Sequence, residues 1–404
     1  MFDVKKEAAA LSAELETIYK DLHRHPEIGY DEHRTSGIIA DYLRACGMEV
    51  QTGIAITGVV GTLDSGRAGK TLLIRADMDC LQVEEMTACD YRSENPGKMH
   101  ACGHDAHVTM LLGAAKLLSA HRDAFRGKIK FLFEPSEESI PASMKETVRA
   151  AGYDGEGGAG FMIQQGVLDG VDMALALHVQ PVVPAGKIQI ARHEATASSD
   201  VYDIMLTGKG GHGAMPENAV DPVPAMAELI TAIHMLPTRE VSSMENCVIS
   251  IGQVELPGSV WNVVPERAHI VGGFRTFNND VRALLRQRIP ELAEGIAKAN
   301  RCTAVCTQTL GYDATINDEA MALEVSRTLE NIVGEGNVIL TNKPFMGSED
   351  FGCFTQHVPG VLFWLGIGTG EGDKPLHNPY FKMDLNALPV GTACHVQNAL
   401  HFLK

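Results

Sequence analysis

No stretch of this 404-residue chain stays apolar for the roughly 20 residues that a membrane-crossing helix needs, which argues against a membrane-spanning protein. Basic residues are in deficit: 34 Lys and Arg face 51 Asp and Glu, a net charge of −17. That balance argues against nucleic acid or an anionic membrane surface as a partner, and leaves the charge of a local pocket open. The opening residues, MFDVKKEAAALSAELETIYK, have no apolar core of the kind an export signal carries. The nine cysteines are odd in number and scattered rather than spaced as a disulfide framework. These absences lead to the expectation of a cytoplasmic protein whose cysteines are mostly small buried residues. Internal repeats and low-complexity tracts are missing too.

What is present is a folded composition, 45% hydrophobic and 21% charged, at a length that suits two domains. Leu11, Leu15, Ile18, Tyr19 and Leu22 recur at helical spacing up to His25-Pro26, and a second helix is predicted from Thr35 to Leu43. Apolar runs of strand character follow at TLLIRAD, KIKFLFEP, MALALHV and VLFWLGIG, alternating with helical patterns such as HVTMLLGAAKLLSAH. Such alternation predicts an α/β sheet with helices on both faces. The stretch 187–302 reads differently, with strands at IQIARHE, VYDIMLTGKG and AHIVGGFRTF and a helix opened by Asp221-Pro222. It is expected to be an inserted α+β domain. The first domain is then discontinuous, 1–186 and 303–404.

The densest chemical signal is MHACGHDAH, Met99–His107. Cys102 and His104 are two apart, so an extended backbone places both side chains on one side, and both are good ligands for first-row metals. The plainer alternative is a polar loop with a stray thiol. In FLFEPSEES an apolar strand runs into Glu134, Glu137 and Glu138. Adjacent carboxylates repel unless a cation neutralises them. A metal resolves the conflict, with one glutamate ligating and its neighbour acting as base toward water; an exposed acidic turn is the alternative. Asp77 and Asp79 stand at a strand end, where α/β proteins gather ligands, and suit the task of holding a ligating histidine in one tautomer. His178 ends MALALHV and His377 follows VLFWLGIG. Each alone is more often structural, and they count because other strands end in metal-type residues. Glycines around His212 in GKGGHGAMPENAVDP free the backbone to approach a ligand. Asn262 and Arg275 follow in the same stretch. Any of the three suits an oxyanion or a carboxylate, and Arg275 equally suits a plain surface charge.

Eleven segments stand in order along nearly the whole chain: HRHPEIGYDEHRTS, RADMD, MHACGHDAH, EPSEE, GGAGFMIQQGVLDGVD, ALHVQP, GKGGHGAMP, NVVPE, GGFRTF, GSEDFG and HNPYF. Together they resemble the aminoacylase and hippurate-hydrolase family of metallopeptidases, most of all its branch of N-acyl-amino-acid and auxin-conjugate (indole-acetyl-amino-acid) amidohydrolases. The resemblance implies a mixed sheet flanked by helices in the catalytic domain, and an inserted lid domain through which the chain forms a homodimer. It implies two divalent metal ions, with Cys102 as bridge, His104 and His178 on one and Glu138 and His377 on the other. Glu137 matches the general base. His212 matches a lid histidine that reaches the partner subunit's site, and Asn262 and Arg275 match lid residues that contact substrate. Asp77, Asp79 and Asp105 are assigned to hold the ligands from behind. A thiolate favours zinc, cobalt or iron and carboxylates admit manganese, so zinc or manganese is expected first.

The expected reaction is hydrolysis of an N-acyl amino acid or related small amide. Metal activates water, Glu137 moves the proton to the leaving amine, and His212 helps hold the oxyanion. Hydrolytic deamination of a small, aromatic C–N substrate is the alternative. A non-catalytic metal-binding scaffold is disfavoured because the base and all five ligands are in place. Two features depart from the family pattern. Ser139–Glu156, SIPASMKETVRAAGYDGE, intervenes after the glutamate pair, and Glu217 stands where a second histidine is common.

Overall fold

Strand Thr71–Asp77 alternates its contacts as an extended chain must: Leu72, Ile74 and Ala76 enter one hydrophobic core and Leu73 the other. Met173–Pro184 and Gly360–Gly368 do the same, with Leu175 and Phe363 on one side and Ala174 and Leu362 on the other. A sheet buried on both faces follows directly. The computed structural model describes residues 2–370 and 372–404. It divides into two compact units, Met1–Ala195 with Thr315–Pro344 and Asp350–Lys404, and Thr196–Ala314 with Phe345–Glu349.

The larger unit holds a mixed eight-stranded sheet in the order Glu49–Ile54, Gly58–Asp64, Lys128–Glu134, Thr71–Asp77, Met173–Pro184, Gly360–Gly368, Ile188–Ala191, Val338–Thr341. Its four central strands are parallel, so their carboxyl ends lie at one edge of the sheet. Helices Ser12–Arg24, His33–Ala45, His104–Ala120, Glu319–Val333 and Ala387–Phe402 share the first core; Phe161, Phe351 and Val148 fill the second.

The smaller unit is an antiparallel four-stranded sheet, Cys247–Glu255, Arg267–Thr276, Asp200–Thr207, Thr303–Leu310. Helices Pro222–Arg239 and Asn279–Ala299 contribute Leu229, Ile233, Leu285 and Ile289 to its core, against Tyr202, Ile204 and Ile270. The first helix opens as expected: Asp221 accepts the Val223 N–H at 2.9 Å and Pro222 occupies the first position.

The unit limits differ from 187–302 for a pairing reason. Ile188–Ala191 pairs with Gly360–Gly368 and Val338–Thr341 and belongs to the large sheet. Thr303–Leu310 pairs with Asp200–Thr207 and belongs to the small one. Strand type is legible locally, but strand membership is a long-range choice.

Candidate metal centre and active site

Three parallel strands bring chemically active residues together, and His178, expected at a strand end, lies mid-strand because Met173–Pro184 continues six residues past it. Lys128–Glu134 runs into Pro135 and then Ser136, whose φ of +56° turns the chain sharply. Glu32 holds the turn by accepting the Ser136 N–H at 2.9 Å. Glu137 and Glu138 follow, largely buried. Met173–Pro184 carries His178, and after Gly360–Gly368 comes His377, itself at φ +65° and tied by its N–H to Ala101 O at 2.8 Å.

Cys102 and His104 converge, but not along an extended backbone. Gly103 adopts φ +88° and His104 opens the helix His104–Ala120, three residues earlier than its apolar pattern indicates. A Cβ at Gly103 would lie 2.5 Å from Val179 Cγ2. Gly103→Ala is therefore expected to cost at least about 1–2 kcal/mol from backbone strain alone, read by urea unfolding.

The donor atoms form one continuous cluster. Cys102 Sγ lies 3.5 Å from His178 Nε2 and 3.3 Å from His377 Nε2. Glu138 Oε1 is 3.1 Å from His377 Nε2, and His104 Nε2 is 3.8 Å from Glu137 Oε2 and 3.9 Å from Glu138 Oε1. The atoms fall into overlapping sets of three within 4.8 Å: Cys102, His104 and His178; Cys102, Glu138 and His377; His104, Glu137 and Glu138.

These residues fit a pair of divalent cations. His104 donates Nδ1–H to Asp79 at 3.0 Å, leaving Nε2 as a lone pair that is buried without a hydrogen-bond partner. His178 donates Nδ1–H to Val179 O at 2.7 Å, which turns its Nε2 lone pair toward Cys102. Glu138 Oε1 lies close to His377 Nε2 without hydrogen-bond alignment, as two ligands of one ion do. Burial, with Glu138 and Glu137 beside it, pushes the Cys102 thiol well above its ordinary range. A thiol, two largely buried carboxylates and the buried imidazoles of His104 and His178, with the exposed His377 imidazole at the rim, are costly to gather without a cation and stable around one.

The supporting aspartates divide. Asp79 holds His104 and also accepts the Glu138 N–H at 3.1 Å. Asp77 holds His107 at 2.5 Å and lies 3.8 Å from His104 Nδ1. Asp105 does not face a ligand. It accepts from His23 Nδ1 at 2.6 Å, with Glu85 on the other side of the ring. Burial opposes the charge on His23, but the two carboxylates outweigh it and push its pKa up to about 10. On a helix, neighbours point about 100° apart, so Asp105 turns away from the direction His104 takes.

Sequence reasoning missed His107, three residues after His104 and so on the same helix face. It also missed Arg75, which is 1% exposed and bonded to Asp77, Glu134 and Asp350 at 2.6, 2.6 and 2.8 Å. An arginine inside an apolar strand was the available signal, since arginine is almost never buried without partners.

In the smaller unit His212 and Asn262 come together. Val263 pairs with His212 in a two-stranded ribbon, and Gly213 N–H donates to Asn262 O at 3.0 Å. Both side chains are exposed. Arg275, half-buried on Arg267–Thr276, donates to Met346 O at 3.2 Å and lines a cavity of about 480 Å³ with Ser250, Gln253 and Gly273. Glu217 lies exposed in the short turn Pro216–Asn218.

Residues 73–401 match the family described as Peptidase family M20/M25/M40. The chain is 33% identical over 393 residues to the IAA-amino acid hydrolase ILR1-like 4 of Arabidopsis thaliana, covering 96% of this chain and 85% of that one. It is 34% identical over 396 residues to the hippurate hydrolase of Campylobacter jejuni, covering 98% of each. Among solved structures, the Bacillus subtilis YXEP protein, described as a dinuclear metal binding peptidase from the M20 family, superposes with a TM-score of 0.80 at 28% identity, covering 98% of this chain and 99% of that one.

Proposed function

The chain belongs to peptidase family M20/M25/M40 and is a metal-dependent amidohydrolase, and from that premise we propose that it cleaves the amide bond of N-acyl amino acids with Glu137 as general base. The observation that carries the reading is the continuous Cys102–His178–His377–Glu138–His104 cluster with Glu137 at its edge. The names of the relatives, which pair acyl groups with amino acids, support the substrate class.

Cys102, His104 and His178 would hold one ion, and Cys102, Glu138 and His377 the other. When bound, the ions acidify water and polarise a carbonyl. The chain's own residues do the rest. Asp79 keeps the His104 proton on Nδ1 and so orients the ring. Glu137 accepts a proton from the attacking water on its carboxylate and delivers it to the departing amine nitrogen. We assign His212, Asn262 and Arg275 to the substrate, with Arg275 on its carboxylate. Zinc or manganese suits the mixed thiolate, imidazole and carboxylate donors. The same reading takes the protein as a cytoplasmic homodimer formed through the smaller unit.

The test is a panel of N-acetyl, N-benzoyl and indole-acetyl amino acids, with a small aromatic amine assayed beside them. The protein is assayed as purified, after chelation, and after return of zinc or manganese, with free amino acid and ammonia both measured. Chelation is expected to abolish amino-acid release, and one of the two metals to restore it. Ammonia released from an aromatic amine, with every amide untouched, would sink the proposal in favour of deamination.

A further inference from the structure

Behind His178 a chain of buried side chains ends on a backbone amide. Val179 N–H donates to His107 Nε2 at 2.9 Å, so that nitrogen carries a lone pair. The neutral ring's proton is then on Nδ1, which donates to Asp77 Oδ1 at 2.5 Å. Asp77 Oδ2 accepts from Arg75, whose other nitrogens reach Glu134 and Asp350. None of these five side chains is more than 1% exposed.

The residue they reach is the one that orients His178. Val179 O accepts the His178 Nδ1–H at 2.7 Å, while Val179 N–H is taken by His107. Both polar groups of Val179 are thus committed, one to His178 and one to the residue behind it. The His107 and His178 rings pack edge to face, with centroids 4.5 Å apart. Ligand His104 has its own support in Asp79, and the His377 backbone is tied to Ala101. The His104 ring lies 5.5 Å from the His107 ring, centroid to centroid, but its hydrogen bond goes to Asp79.

We propose that His107 is a positioning residue for one of the two metal positions: held as the Nδ1–H tautomer by Asp77, it fixes the Val179 amide and through it the His178 imidazole. The proposal rests on the reading of His178 as a ligand. An amide nitrogen at the Nε2 position would not serve, because it has no lone pair for Val179 N–H. An acceptor there and a donor toward Asp77 are both needed, and neutral imidazole supplies them at opposite ends of one ring.

The test measures both metal affinities by competition with a chromophoric chelator, with metal content counted at each step. His107→Asn keeps a donor near the Nδ1 position and leaves Val179 N–H unmet. It is expected to weaken one metal by about 10–100-fold and leave the other within about twofold. His107→Gln presents its oxygen near the Nε2 position and is expected to recover part of that loss, since it restores the acceptor for Val179 N–H but not the donor toward Asp77. Asp77→Asn, which preserves shape, is expected to weaken the same metal; it also decides the matter if the asparagine variant at 107 does not fold. The proposal is overturned if His107→Asn weakens both metals equally or neither, or if Asp77→Asn leaves both affinities unchanged. His178→Ala is the control. Loss of the same metal supports the chain of contacts, and retention of both metals at full affinity overturns the ligand reading beneath it instead.

Discussion

Changing Glu137 to glutamine is expected to leave both metals bound and to lower turnover by about 10²–10⁴-fold, the usual contribution of a positioned general base. Glutamine keeps the shape of a side chain that is 5% exposed, so packing around it changes little. Its amide has no site that accepts a proton near neutral pH, so the step assigned to Glu137 stops. Glu137 Oε2 lies 3.8 Å from His104 Nε2, at the edge of the donor cluster, while its neighbour Glu138 lies 3.1 Å from His377 and faces His104 as well. Glu138→Gln should therefore behave differently and release metal along with activity. Steady-state kinetics with metal content measured on the same samples separates the two variants. Full activity in Glu137→Gln, or loss of metal from it, would remove Glu137 from the role of base.

That contrast between adjacent glutamates also shows where sequence reading reaches and where it stops. Glu137 and Glu138 were legible because an apolar strand running into a carboxylate pair is an electrostatic conflict visible without coordinates. Cys102 and His104 were legible as a pair, although the geometry that joins them was not. A left-handed glycine and a helix start replace the extended segment, because Gly103 has the conformational freedom the turn demands. The four central strands and the helix at Asp221 were readable from local periodicity and capping. Membership of Ile188–Ala191 and Thr303–Leu310 was not, since pairing depends on residues far away in sequence, 96 positions away for Thr303 and Thr207. Asp105 was misassigned because spacing from a ligand does not tell which face of a helix the ligand uses; His23, 82 residues earlier, claims it. His107 was passed over for the opposite reason, being on the ligand face but giving its hydrogen bonds to Asp77 and the Val179 amide and only a ring contact to His178.

Replacing Arg75 by methionine is expected to cost about 3–5 kcal/mol of stability at neutral pH, the range seen when one partner of a buried charge pair is removed. The guanidinium is 1% exposed and meets Asp77, Glu134 and Asp350, each of them fully buried. Methionine fills much of the volume, so the loss measures the charge rather than a cavity. Burial by itself would raise the pKa of Asp77; His104, His107 and Arg75 together hold it well below the ordinary carboxylate range. A depressed carboxylate contributes stability above its unfolded pKa and loses it as pH falls through the folded value. Without Arg75 that depression weakens, and burial, which by itself raises the Asp77 pKa, pushes it back up, so the folded variant binds a proton there more readily than the native protein does. The variant should then gain on the native protein as pH falls toward about 4, near the unfolded carboxylate values. Urea unfolding of the metal-free proteins at pH 7 and pH 5 checks both parts. A deficit under about 1 kcal/mol, or one that grows on acidification, would mean that the three carboxylates do not depend on Arg75 for their charge. Because Asp77 also holds His107, and Asp350 accepts the Ala159 N–H at 3.1 Å, the same substitution should loosen the strand ends that carry the donor cluster. Metal affinity is therefore expected to fall with stability, and a variant that unfolds easily yet binds both ions as tightly as before would separate the arginine's structural role from the site it underlies.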